Sequence, residues 1–346
     1  MSLADVAAAL LFVGVVAYAI FGGADFGTGV WDLFAGDAER GGELRTQIDH
    51  SIAPVWEANH VWLIYVLVFM WTAFPTAFAA MITTLAVPWM LVGLGIVLRG
   101  AGFAFRKFAS TLGQARLFGV AFAASSVITP FFLGTIAGGV ASGRVPMEGG
   151  DLWTSWTGPT SMIGGTLAVL TCSFLAATFL AADSMRAGNH DLAVRCARKA
   201  LASGAISGAV ALGAIAPLEH DAPRLFDHLN GRAAPLIVLS ALAGSAALFD
   251  LWRGRYQRAR FGAVLAVAAV VIGWGVGQYP DVLVDHATIA QAAGARATLI
   301  GLIIVFGIAA VTAVPAMIWL YVLVNTDWTG QLAAGDHTAG EAADAT

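Results

Sequence analysis

Charge is scarce in this chain of 346 residues. Asp, Glu, Lys and Arg make up only 12% of it, against roughly 25% in soluble domains. That shortage excludes an ordinary water-facing surface. Cysteine is nearly missing as well: Cys172 lies in an apolar run and Cys196 in an expected basic loop. Two thiols without metal-ligand or disulfide spacing exclude a disulfide scaffold or a zinc site, and both read as small apolar filler. The chain lacks a phosphate-binding glycine loop, a nucleophile elbow and a dinucleotide fingerprint. No basic tail could track phosphates, so nucleic acid is not an expected partner. The N-terminal MSLADVAAALLFVGVV carries Asp5 where a signal peptide needs Lys or Arg. It shows no clean cleavage site and is expected to be a retained first helix.

Apolar surface is what the chain has in excess. It is 58% hydrophobic, with a mean hydropathy of +0.78, 11 Trp and 20 Phe. About 20 apolar residues cross the hydrocarbon core of a bilayer. Runs of that kind occur at 3–30, 55–74, 77–98, 117–141, 160–182, 200–217, 234–252, 261–279 and 297–324. They lack the alternation of a barrel, so the spans are helices. The expected fold is an all-α polytopic membrane protein of about nine transmembrane helices, arranged as two four-helix bundles plus one extra helix. Residues 1–328 form one transmembrane domain, and the short polar tail 329–346 is expected to be disordered. FPT at 74–76 reads as a tight connection between the second and third spans. Pairs such as Gly23/Gly27 and Gly134/Gly138 have the spacing that lets helix backbones approach.

Fourteen of the 18 basic residues fall in alternate connections on one side. The positive-inside rule makes that side cytoplasmic. With nine spans, the N-terminus is outside and the C-terminus in the cytoplasm.

Ionisable groups within spans are costly and are functional candidates. Asp25 sits late in the first span, Glu57 at the start of the second and Arg99 at the end of the third. All three are expected toward the cytoplasmic face, where they could form a polar entry for protons. Simpler roles exist for some of them. Glu57 suits a helix N-terminus, Arg99 could snorkel to lipid headgroups, and Trp56 could be an interfacial anchor. Asp25 is too short to snorkel, and glycines flank it.

Glu57 and His60 make an E-x-x-H. Di-metal sites in helix bundles need two such motifs and two further carboxylates, and no second one occurs. His60 is the sole histidine of seven within a span. A low-spin haem takes two axial ligands, and Met70, Met81, Met90 and Met162 have no distinctive spacing. The chain is therefore expected to ligate neither metal nor haem. His60 then reads as a polar contact of Glu57 or a titrating relay. The stretch 217–235, with Glu219, His220, Asp221, Asp227 and His228, reads as a solvated extracytoplasmic loop.

Three motifs, GGADFGTGVWDL (22–33), APVWEANHVWLI (53–64) and VLRGAGFAFRKF (97–108), together resemble the second subunit of bacterial cytochrome bd-type quinol oxidases. PFFLGTIAGG (130–139) and PAMIWLYVLV (315–324) are looser echoes. The resemblance implies a subunit of a quinol:oxygen oxidoreductase complex in the bacterial inner membrane. In that family haem b and haem d belong to a homologous first subunit. The second subunit supports assembly and supplies a proton path from the cytoplasm. By motif, Asp25, Trp56, Glu57 and Arg99 match family positions linked to proton entry or to a bound structural quinone; with His60 as a relay, Asp25, Glu57 and His60 are the expected proton pathway. Trp56, Asn59 and Arg99 are the expected polar cluster, beside a bound structural quinone. The implied partners are the haem-bearing subunit I, small single-helix accessory subunits, lipid and quinol. Some relatives carry further acids where this chain has Phe21 and Ala104, so a route through those positions must differ here. A stand-alone proton- or solute-coupled transporter is the alternative. Transporters commonly show paired broken helices at the midplane, which this sequence does not display.

Overall fold

The computed structural model describes residues 2–36, 38–52, 56–106 and 108–343; the side chains of 38–40, 52, 56–58, 112, 317, 320–321 and 323–343 fall outside what it describes. The chain is helical almost throughout. In order come α1 (Leu3–Leu33), α2 (Ala38–Ile52), α3 (Trp56–Ala73), α4 (Pro75–Thr84), α5 (Ala86–Arg106), α6 (Leu112–Ala141), α7 (Pro159–Arg186) and α8 (His190–Gly213). They are followed by α9 (Ile215–Asp221), α10 (Pro223–Asn230), α11 (Ala234–Trp252) and α12 (Tyr256–Gln278). A small antiparallel hairpin, β1 (Asp281–Leu283) with β2 (Ala287–Thr288), leads into α13 (Ile289–Ala292) and α14 (Arg296–Ala343). The backbone of 329–343, in the expected polar tail, continues α14, and the side chains of that tail are outside those described.

Local chemistry sets many of these boundaries. Ser2 and Asp5 form a reciprocal capping box at the start of α1, satisfying two otherwise orphaned N–H groups. The Asn189 side chain accepts from the Leu192 N–H at 3.0 Å and starts α8, ten residues before the span expected at 200–217, so Cys196 is buried in a helix and not in a loop. Pro159 and Pro75 begin α7 and α4, where a missing N–H costs nothing.

Among the described residues, seven helices are long and apolar enough to cross a membrane, or nine when each bent pair counts as one span. This is a multi-pass membrane protein. α1 packs on α3, α6 and α7; α6 packs on α5 and α7; α7 also packs on α8 and α12, α11 joins α8 and α12, and α14 packs beside α1 and α3. α1 has 31 residues, about 46 Å at 1.5 Å per residue. It outruns a hydrocarbon core of about 30 Å.

Three expectations change. The run at 77–98 is not one span: α4 turns 118° away from α3, and Leu85 separates it from α5, which extends to Arg106. Proline biases the residue before it out of the helical region, so the chain breaks at Phe74 before α4 begins. A second bent pair, α8 with α9, turns 43°, so broken helices are present where none was expected. The stretch 217–235 is not a loop either. It holds the end of α9 and all of α10, with Asp221 accepting from Arg144 and, at 2.9 Å, from the Thr160 N–H.

Candidate functional site: a buried charge ladder

The second half of α1 is rich in glycine, and the close approach of its neighbours needs it. A Cβ on Gly27 would come within 1.9 Å of the Cys172 carbonyl oxygen on α7. One on Gly29 would come within 2.1 Å of Ser126 Oγ on α6. These contacts enclose Asp25, which is only 4% exposed.

Its partner is Arg99 of α5, 2% exposed. Arg99 Nη2 donates to Asp25 Oδ1 at 2.7 Å and to the Asp25 backbone carbonyl at 2.8 Å. Nη1 donates to Ser126 Oγ, which passes a hydrogen bond to the Phe122 carbonyl at 2.6 Å. The guanidinium also lies against two rings, 4.4 Å from the Phe122 centroid and 5.0 Å from that of Phe26. A buried arginine held this fully is fixed in place, because desolvation is offset only while every contact is kept. Arg99 is therefore not a snorkelling residue at a span end. With α5 starting at Ala86, it sits deep in the helix and wholly inside the protein.

One oxygen is left over. Among the described residues, Asp25 Oδ2 has no hydrogen-bond partner although it is buried. His60 of α3 stands close by, within electrostatic reach of Asp25 and Arg99, with its ring edge-on to Phe26 at 6.2 Å. Asn59 is buried beside it in sequence. Glu57 and Trp56 belong to the first turn of α3, and their side chains lie outside the described residues.

A second rung was not anticipated. Asp32, 5% exposed, accepts from Arg106 Nη1 at 2.8 Å and from Arg45 Nε at 2.7 Å. Arg106 also bridges to Asp49 of α2 and lies 5.4 Å from the Phe122 centroid, so Phe122 is shared by both rungs. The ladder has a simple sequence rule. Asp25 and Asp32 are seven residues apart on α1, and Arg99 and Arg106 seven apart on α5. Seven residues are about two helical turns, so both acids share one face and both arginines another. α2 closes the end of the ladder. It is tied onward to α8 where Glu43 accepts from Asn189 at 2.6 Å and from Arg195.

Phe21 is 49% exposed and Ala104 is exposed. Acids at those positions would leave the protein's interior, whereas Asp25 and Asp32 point into it.

An apolar cavity of about 1290 Å³ opens beside this region between α1, α6, α7 and α12. Phe12, Tyr18, Gly134, Leu167, Val271 and Trp274 are among its walls. Among the described residues no three His, Cys, Asp or Glu side chains converge as metal ligands.

The sequence profile of the family described as cytochrome bd terminal oxidase subunit II matches residues 3–324. The chain belongs to that family. Cytochrome bd ubiquinol oxidase subunit 2 of Bacillus subtilis (strain 168) is 34% identical over 128 residues, 37% of this chain and 36% of that protein. Cytochrome bd-I ubiquinol oxidase subunit 2 of Escherichia coli (strain K12) is 31% identical over 137 residues, 38% of this chain and 35% of that protein. The matched stretch thus spans about a third of each of these curated relatives. In fold, the chain is similar to a chain in the structure of bd oxidase from Geobacillus thermodenitrificans. The TM-score is 0.73 at 22% identity, covering 92% of this chain and 98% of that one. The likeness in fold accords with the helical plan.

Proposed function

We propose that this chain is the second subunit of a bacterial quinol:oxygen oxidoreductase and that it conducts protons from the cytoplasmic side toward the oxygen-reducing site. The observation that carries this reading is Asp25. Its Oδ1 is fixed by Arg99, while Oδ2 is buried without a partner among the described residues. A carboxylate oxygen kept free inside a membrane protein is positioned to bind and release a proton. Asp25, Glu57 and His60 are the pathway residues. Trp56, Asn59 and Arg99 complete the polar cluster around them.

The partner in this reading is the haem-bearing subunit I, in a heterodimer within the bacterial inner membrane. Haem b and haem d belong to that subunit and would supply the electron-transfer and oxygen chemistry. This chain supports its assembly. Small single-helix subunits, lipid and quinol are further partners. A structural quinone fits the cavity in character, since its apolar walls suit a ring and isoprenoid tail. Each charge carried through the full membrane potential stores about 2.3 kcal/mol per 100 mV.

Glu57→Gln and Asp25→Asn, made separately, test the route by quinol-driven oxygen uptake in the purified complex. Strongly slowed uptake with normal haem content is expected in at least one. Near-normal turnover in both, with haem retained, would remove the proton route. Loss of haem would point instead to an assembly role.

A further inference from the structure

The polar face of α1 does not stop at Asp25. One more step of seven residues reaches Tyr18, so Tyr18, Asp25 and Asp32 form a single stripe along the helix. The Tyr18 ring leans toward Asp25. It lies over Gly22, where a Cβ would come within 2.7 Å of Tyr18 Cε2, and meets the Phe26 ring edge-on at 6.3 Å. Its hydroxyl is buried and, among the described residues, has no hydrogen-bond partner. That hydroxyl is within electrostatic reach of Asp25, Arg99 and Cys172, and the same side chain forms part of the cavity wall.

Tyr18 Oη and Asp25 Oδ2 are therefore two buried polar atoms on one stripe of α1, each without a hydrogen-bond partner among the described residues. Buried polar groups in proteins are almost always satisfied, by protein or by ordered water. We infer that Tyr18 is a positioning residue: its hydroxyl holds a water against Asp25 Oδ2 and so extends the polar line from Asp25 to the cavity. The Tyr18 O–H donates to the water, and the water donates to Oδ2. When Asp25 takes up a proton, its own O–H donates to that water instead. Tyr18 stays neutral throughout and turns its hydroxyl to suit. Arg99 keeps Oδ1 occupied, so the proton is confined to Oδ2. The inference rests on the proton route proposed above, but its failure is separable from that of the route.

The test is Tyr18→Phe in the purified haem-containing complex, with Asp25→Asn as reference. Phenylalanine keeps the ring over Gly22 and removes only the hydroxyl. Quinol-driven oxygen uptake is expected to fall roughly fivefold, the scale of one net hydrogen bond, with haem content unchanged. A structural role alone would not move the infrared C=O stretching band of protonated Asp25. That band, identified by its loss in Asp25→Asn, is expected to shift in Tyr18→Phe. If Asp25→Asn fails to assemble, ¹³C-aspartate labelling identifies the band in the parent complex. An unmoved band and unchanged uptake in Tyr18→Phe, with Asp25→Asn impaired, would overturn the role of Tyr18 and leave the route standing. Unchanged uptake in both variants would overturn both.

Discussion

Arg99 is the residue on which the site turns. Its guanidinium holds Asp25 Oδ1, reaches Ser126 and packs on two phenylalanines. Removing one member of a buried ion pair strands the other and costs about 3–5 kcal/mol. Arg99→Met is therefore expected to lower the melting temperature of the purified complex sharply. Asp25→Asn should cost clearly less, because the amide oxygen still accepts from Arg99. Equal losses in a thermal melt would mean that the charge on Asp25 carries the pair, rather than the burial of Arg99.

At the scale of elements, two close contacts decide where the ladder stands. α1 touches α7 at Gly27, where a Cβ would lie 1.9 Å from a backbone oxygen. Gly27→Val must push the helices apart, and overpacking of this kind costs about 1–3 kcal/mol. Reduced thermal stability and slower oxygen uptake are expected together, since the shift also moves Asp25. The second contact is α2, held by Arg45 and Arg106 around Asp32 and by Glu43 against α8. The hydrogen bond from Asn189, with that from Arg195, holds the Glu43 carboxyl below the usual carboxylate value. A depressed acid stabilises the fold above its unfolded pKa and loses that contribution as pH falls through the folded one. Protection factors for hydrogen exchange in α2, corrected for the intrinsic slowing of exchange in acid, are thus expected to fall below the ordinary carboxylate range, and Glu43→Gln should weaken that acid dependence. Protection factors in α2 that are alike at neutral and acid pH, or that fall equally in Glu43→Gln, would show that Glu43 does not hold it.

For the molecule as a whole, charge bias predicts the orientation of the bundle. Glu148 and Arg255 are exposed in turns assigned to opposite sides, and both native cysteines are buried, so they give little background. A membrane-impermeant thiol reagent applied to intact cells should label Glu148→Cys, and Arg255→Cys only after lysis. The reverse pattern would invert the topology and place the ladder's Asp32 end on the outer side. The direction matters for function because Asp32, Asp25 and Tyr18 succeed one another from that end toward the cavity.

Hydropathy alone was enough to establish the helical class and most of the spans, because hydrocarbon leaves a backbone few ways to satisfy itself. Asp25 and Arg99 could be singled out for the same reason: a charge among apolar residues stands out whatever it touches. Their partnership could not be, since they are 74 residues apart, and the placement of α5 depends on a break at Leu85 that hydropathy does not mark. The sevenfold spacing of Tyr18, Asp25 and Asp32 was legible in principle. It carried no weight until the fold showed which face of α1 turns inward. Packing made that decision: glycines at 27 and 29 let α7 and α6 close over one side of the helix, and the residues on that side became the site.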